Sequence, residues 1–281
     1  MAAMKWIGRT TAIVLLVVIG STVLVRFAPG YLSDAREMDP RYANVARAEI
    51  SAEQARSQSL FQMLRSEIGG WVQGNAGLSR QYDVPVFELI QPRLSVTGSL
   101  MLQSLALAWA LAISAALVSS AGGRPSVLWQ IPATLLLVIP TAAMATICLL
   151  VNSGGPVLVM ALLLAPRDFK FLHRTLRKAW LDPHVLQARA QGVGPTRILV
   201  VHILPGIASQ LSALASLSIV TALSALVPVE VIFNVPGLGQ LAWSAAMNRD
   251  LPVLLAITMI MALAVICAGI TPARAPEWES A

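Results

Sequence analysis

The sequence predicts an all-α, polytopic membrane protein with six transmembrane helices. Three observations predict it. Hydrophobic residues make up 56% of the chain and charged residues 12%, against about 45–50% and about 25% in a soluble domain. The apolar residues gather into segments near the ~20-residue length that a helix needs to cross a bilayer. The charges lie between those segments and differ in balance. Positions 26 to 93 carry eight basic and eight acidic residues, whereas positions 167 to 197 carry seven basic residues and only Asp168 and Asp182 as acids. An excess of Lys and Arg marks cytoplasmic loops, so the second region is expected inside the cell and the first outside. The same distribution turns the net charge of +6 away from nucleic acid, because the basic residues follow a topology rather than a patch.

The elements follow in order. Residues 6–27 form the first span, with Lys5 before it and Arg9 near its start. A cleaved signal peptide is the rival reading; the apolar run is too long for a usual signal core, and no small-x-small site precedes the polar region. Residues 30–93 are expected to be an external loop, helical around positions 42–68, where Leu60, Phe61, Leu64 and Ile68 recur at helical spacing. Span two covers about residues 94–120, and Gly122-Gly123-Arg124-Pro125 turns the chain. Span three covers about 127–151, with Pro132 and Pro140 inside it as expected kinks.

Span four is the irregular one. Residues 156–165 are apolar, but Pro166-Arg167-Asp168 is expected to interrupt them before Phe169. A charged pair near membrane depth is costly and points to function. The milder reading, which the sequence favours, is that the adjacent charges offset each other and Arg167 snorkels to the inner interface. Span five covers about 207–229 and is rich in Ser and Ala, residues that allow close helix approach or line a polar pathway. Residues 230–250 are expected to be an external loop and 251–270 the sixth span. Six spans put both termini in the cytoplasm.

Between spans four and five lies DPHVLQARAQGVGPTRILVVHILPG, from Asp182 to Gly206. It reads as two short helices joined by a turn. Asp182 suits the N-cap and Pro183 the first helical position. Helix-favouring residues follow, and Gly192 can end the run. Gly194-Pro195 opens a second helix that continues through Pro205 into span five.

Other chemistries find no foothold. No G-x-x-x-x-G-K-[ST] loop is present, so the chain is not expected to hydrolyse ATP itself, and no G-x-S-x-G or H-E-x-x-H occurs. His173, His184 and His202 lack metal-site spacing, and Cys148 and Cys267 fall in apolar segments as small buried hydrophobes. No catalytic residue, metal or cofactor is expected.

Three motifs carry a family resemblance. Ala188-Arg189-Ala190-Gln191-Gly192 with His202-Ile203-Leu204-Pro205 resembles the EAA loop of ABC-importer permeases, in the variant of the dipeptide/oligopeptide/nickel branch. Glu230-Val231-Ile232-Phe233, Pro236-Gly237-Leu238-Gly239 and Asn248-Arg249-Asp250-Leu251-Pro252 form the second match. Arg26-Phe27-Ala28-Pro29-Gly30 is the third, similar to the R-x-A-P-G of the same branch. The position of the name-giving glutamate holds Leu186, and the segment before span four is shorter than the family's.

The resemblance implies a type I ABC-importer permease in a bacterial inner membrane. Residues 1–29 would be its first helix, 30–93 the external loop, and 94–281 the core permease domain with a cytoplasmic coupling loop at 173–206. Its partners would be a second homologous permease, two ABC ATPase subunits and an external solute-binding protein, all with the lipid bilayer and none with nucleic acid. ATPase contact is carried over to Gln187, Ala188, Arg189, Ala190, Gly192 and Pro205. The external gate or turn loop is carried over to Glu230, Pro236, Gly237, Gly239 and Asp250. The solute would be a short peptide, a nickel chelate or similar. The rival classes are an ion-coupled secondary transporter, which needs ion-coordinating groups at mid-membrane, and a non-transporting membrane scaffold.

Overall fold

The computed structural model describes residue 20 and residues 76–79, 81–121, 127–152, 154–248 and 250–269. The first span, the Arg26–Gly30 match, most of the external loop, Arg249 and the tail lie outside the described residues. Every extended element described is a helix: α1 (Val86–Ala121), α2 (Val127–Val138), α3 (Thr141–Leu150), α4 (Pro156–Ala179), α5 (Pro183–Ala190), α6 (Pro195–Ile232), α7 (Leu238–Met247) and α8 (Leu251–Ala268). Among the described residues, α1 and α6 are each long and apolar enough to cross a membrane, and α2 with α3 adds a third crossing if that bent pair is one span.

The chain forms two compact units. In the unit holding Thr97 and Pro236–Ile266, the start of α1 packs with α7 and α8 through Val86, Ile90, Leu238, Leu241, Ala245, Val253 and Ile257. Two polar side chains stitch it together. Thr97 Oγ1 accepts the Leu238 N–H at 2.8 Å, satisfying one of the donors that the start of α7 leaves open. Asp250 precedes α8, and its carboxylate accepts from Ser79 Oγ and, at 3.3 Å, from the Gln81 N–H.

In the unit holding Gly98–Val235, α4 packs against α2 and α6, and α3 packs against α6. Its core joins Ala112 and Ala116 of α1, Phe169, Leu172 and Leu176 of α4, Val185 and Ala188 of α5, and Ile198, Ile203 and Leu214 of α6. Ser119 Oγ lies 2.8 Å from His173 Nδ1, tying α1 to α4 with both side chains buried.

Five expectations need correction. Span two was placed from about 94, but α1 already begins at Val86, with Pro92 inside it; a membrane helix re-satisfies the groups a proline frees. Pro140 does not merely kink span three: α2 and α3 meet at 99°, because Pro140 takes an extended conformation (φ −58°, ψ 144°) at the N-cap of α3. Pro166-Arg167-Asp168 does not interrupt span four, since α4 is continuous through Pro166. Residues 230–250 are not all loop: α6 runs on to Ile232 and α7 takes Leu238–Met247. Cys148 is buried as expected, whereas Cys267 is exposed.

Candidate functional site

The helix–turn–helix expected from Asp182 to Gly206 forms as read. Asp182 holds the N-cap position of α5 in an extended conformation (φ −65°, ψ 139°), with Pro183 in the first helical position. At the far end, Gly192 adopts φ +80°, a left-handed backbone that a Cβ disfavours. This lets the Val193 N–H reach the Ala188 carbonyl at 3.1 Å and the Gly192 N–H reach the Arg189 carbonyl at 3.0 Å. That pair of bonds is a Schellman closure. Val193 packs against the same apolar cluster as Ala188, completing the hydrophobic contact such a closure favours.

Burial divides α5 into two faces. Val185 and Ala188 point into the core, while Gln187, Arg189, Ala190 and Gly192 are exposed, as is Pro205. Ala188, to which partner contact was also carried over, is the buried residue among them. Its methyl group is spent on the chain's own core, and it anchors the helix whose outer face the others form. Space around Gly192 is open, with nothing within 4 Å of an added Cβ. Only conformation, and not crowding, requires glycine there.

The helix after the turn runs from Pro195 to Ile232, with a π-helical stretch at Ile198–Ile203. Pro205 follows directly. A proline lacks the N–H that would bond the carbonyl four residues back, and a wider turn before it lets the helix pass without breaking. The α5–turn–α6 segment is thus closed by backbone bonds, packed in one core with α4 and continued by the apolar length of α6.

The second matched segment is built differently from expectation. The sharp turn belongs to Asn234, at φ +50°, and not to either glycine. It closes α6 by bonds from the Val235 N–H to the Glu230 carbonyl at 2.8 Å and from the Asn234 N–H to the Val231 carbonyl at 3.2 Å. Gly237 is the extended N-cap of α7, Gly239 lies within α7, and both are buried. Pro236 is exposed. Glu230 and Asp250 have buried side chains.

A third group was only half legible. Arg167 and Asp168 were expected to be offset, with Arg167 reaching the interface. The two do pair, at 3.1 Å, and Arg167 also binds across to α6: Nη1 donates to Thr221 Oγ1, and Nη2 donates to Ser218 Oγ at 3.3 Å. Nη2 and Nε also donate to Asp168 Oδ1, at 3.1 and 3.3 Å. Ser218 Oγ donates to Asp168 Oδ2 at 2.9 Å. The pairing of α4 with α6 and the Ser119–His173 contact join residues about 50 positions apart in the chain, a distance at which local spacing carries no signal.

A helical body with membrane-length apolar helices, joined to an anchored helix with an exposed polar face, fits a membrane-transport permease. The chain belongs to the family of binding-protein-dependent transport system inner membrane components, whose pattern it matches over residues 106–272. It is a permease subunit of an ABC importer and an integral, multi-pass membrane protein. It is 29% identical to the oligopeptide transport system permease protein AppB of Bacillus subtilis, over 93% of each chain. It is 22% identical to the dipeptide transport system permease protein DppB of Escherichia coli, over 94% of each. Over 38% of this chain and 34% of the relative, it is 32% identical to the metal-staphylopine import system permease protein CntB of Staphylococcus aureus.

Proposed function

We propose that this permease and a second, homologous permease form the pathway for a short peptide, a metal chelate or a similar small solute. Two ABC ATPase subunits drive it, and an external solute-binding protein delivers the solute. The names of the relatives, which are peptide and metal-chelate permeases, support the solute class. The chain crosses the inner membrane six times with both termini in the cytoplasm. Residues 1–29 form the first helix, 30–93 the external loop, and 94–281 the core with its coupling loop at 173–206. It has no catalytic residue of its own.

The observation that carries the reading is the two-faced α5. Work done by an ATPase must enter a membrane domain through a contact that does not yield. Val185, Ala188 and the Gly192 closure fix α5 to the core, and Gln187, Arg189, Ala190, Gly192 and Pro205 lie on the outside. These five form the ATPase-coupling surface, with Ala188 beneath them. At the external end, Glu230, Pro236, Gly237, Gly239 and Asp250 hold a folded α7 segment as the outer boundary of the pathway.

Reconstitution with candidate permease, ATPase and binding-protein partners tests the reading. Solute-dependent ATP hydrolysis is expected from the assembly, and none from this chain alone. An assembly that forms but shows no response to any peptide or chelate delivered by its binding protein overturns the solute class.

A further inference from the structure

Resting on the importer reading above, we propose that Arg167, with Lys170 beside it, lines the solute pathway and forms an anion-selective position there. It would take a solute's carboxylate or another anionic group.

Depth is the first support. No charged side chain occurs in α6 between Arg197 and Glu230. Ser218, which Arg167 contacts, lies about 24 Å along the helix from His202 and about 18 Å from Glu230, at about 1.5 Å per residue. With a hydrocarbon core about 30 Å thick, the guanidinium sits well inside it.

Exposure is the second. Asp168 is 0% exposed, while the Arg167 side chain is 26% exposed. The carboxylate is turned into the protein and the cation outward. Four of the five guanidinium N–H groups are used, on Asp168, Ser218 and Thr221, leaving one on Nη1. Lys170, one turn along α4 on the same side, donates to the exposed Thr134 Oγ1 at 2.7 Å. Asp168 is the only acidic residue in α4, so the outward face of the group is positive.

Lipid cannot satisfy a part-exposed cation at this depth. The face bearing Arg167, Lys170, Thr221 and Ser224 must therefore meet water or protein. A water-filled pathway bounded by low-dielectric walls concentrates the field of such a charge, which is the condition for selecting anions.

The test uses charged thiol reagents, so it does not depend on knowing the solute. Ser224 is exposed one turn beyond Thr221, and its hydroxyl bonds its own helix at the Val220 carbonyl, 3.0 Å away. Ser224→Cys is placed in a Cys148→Ser, Cys267→Ser background within the reconstituted importer. Rates are measured with a sulfonate-bearing and a trimethylammonium-bearing methanethiosulfonate, each divided by its rate with a free thiol in solution. The anionic reagent is expected to be favoured by about five- to tenfold. Arg167→Gln should bring the ratio close to one, and Arg167→Lys should keep most of it. Should Arg167→Gln fail to assemble, raising the salt to about 1 M, where the screening length is about 3 Å, should collapse the ratio in the Arg167 protein.

A ratio unaffected by Arg167→Gln or by salt overturns the proposal. So does Ser224→Cys that neither reagent reaches, which would mean a lipid-facing surface. Reaction in the separate subunit but never in the assembly also overturns it, because the second permease then covers this face. Failure of the importer to assemble with any candidate partner strikes instead at the importer reading, and the anion position falls with it.

Discussion

Ser79 and Asp250 are bonded to each other across 171 positions of sequence, with both side chains buried. The same carboxylate accepts the Gln81 N–H, and the Asp250 carbonyl starts α8 by accepting from Leu254 at 3.0 Å. One residue therefore sets where α8 begins and where the turn before α1 is held.

Asp250→Ala is expected to lower stability by about 1–3 kcal/mol, because buried donors lose their acceptor. Asp250→Asn, which keeps one acceptor oxygen, should lose less. Thermal unfolding of the purified subunit in detergent measures both. Equal stability of Asp250→Ala and the unsubstituted protein would show that the bond to Ser79 holds nothing.

Substitutions of Gly192 separate backbone strain from surface chemistry. Gly192→Ala should cost about 1–2 kcal/mol through its left-handed backbone, and Gly192→Asn less, since Asn tolerates that conformation. Neither meets a neighbour, so uptake should largely survive. Gly192→Glu adds bulk and charge to the exposed coupling surface. Insertion and pairing with the second permease should stay near normal while uptake falls at least about tenfold, a loss of about 1.4 kcal/mol of coupling. Uptake and ATPase co-purification are measured together. Unimpaired uptake by Gly192→Glu would remove α5 from the coupling role.

The Ser119 hydroxyl is a partner of the buried His173 Nδ1, and His173 Nε2 has no hydrogen-bond partner. Ser119→Ala should therefore destabilise the subunit by about 1–3 kcal/mol, the cost of stranding a buried polar atom. Ser119→Thr, which restores a hydroxyl, should recover part of it. A melting temperature unchanged in Ser119→Ala would show that α1 and α4 do not depend on this contact.

Topology is checked at Thr196, exposed at the start of α6, and at Ser57 in the segment proposed to be external. In a background lacking both native cysteines, Ser57→Cys should react with an impermeant reagent in cells whose outer membrane is permeabilised. Thr196→Cys should react only after lysis. Labelling of Thr196→Cys in intact cells would place the coupling loop on the wrong side.

Local rules account for much of the molecule. The helix–turn–helix from Asp182 onward was legible because each signal acts within a few residues: a proline at the first helical position, a glycine able to take positive φ, a proline opening the next helix. The apolar segments were legible because a bilayer imposes length and composition directly on sequence. Prolines were harder to place. Pro140 ends one helix and begins another, while Pro92, Pro166 and Pro228 lie within continuous helices. The residue is the same, and its local sequence does not say which outcome it takes.

The sequence by itself determined the membrane class, the family and the polar loop with its terminating glycine. Only the tertiary structure decided which face of that loop is available. Gln187, Ala188, Arg189 and Ala190 are adjacent in the chain, yet Ala188 alone turns into the core, because Leu176, Ile198 and Ile203 come from other helices to meet it. Tertiary structure likewise decided that Arg167 is held by Ser218 and Thr221 as well as by Asp168. Its hydroxyl partners lie on another helix, and a part-buried cation takes the hydroxyls that folding brings within reach.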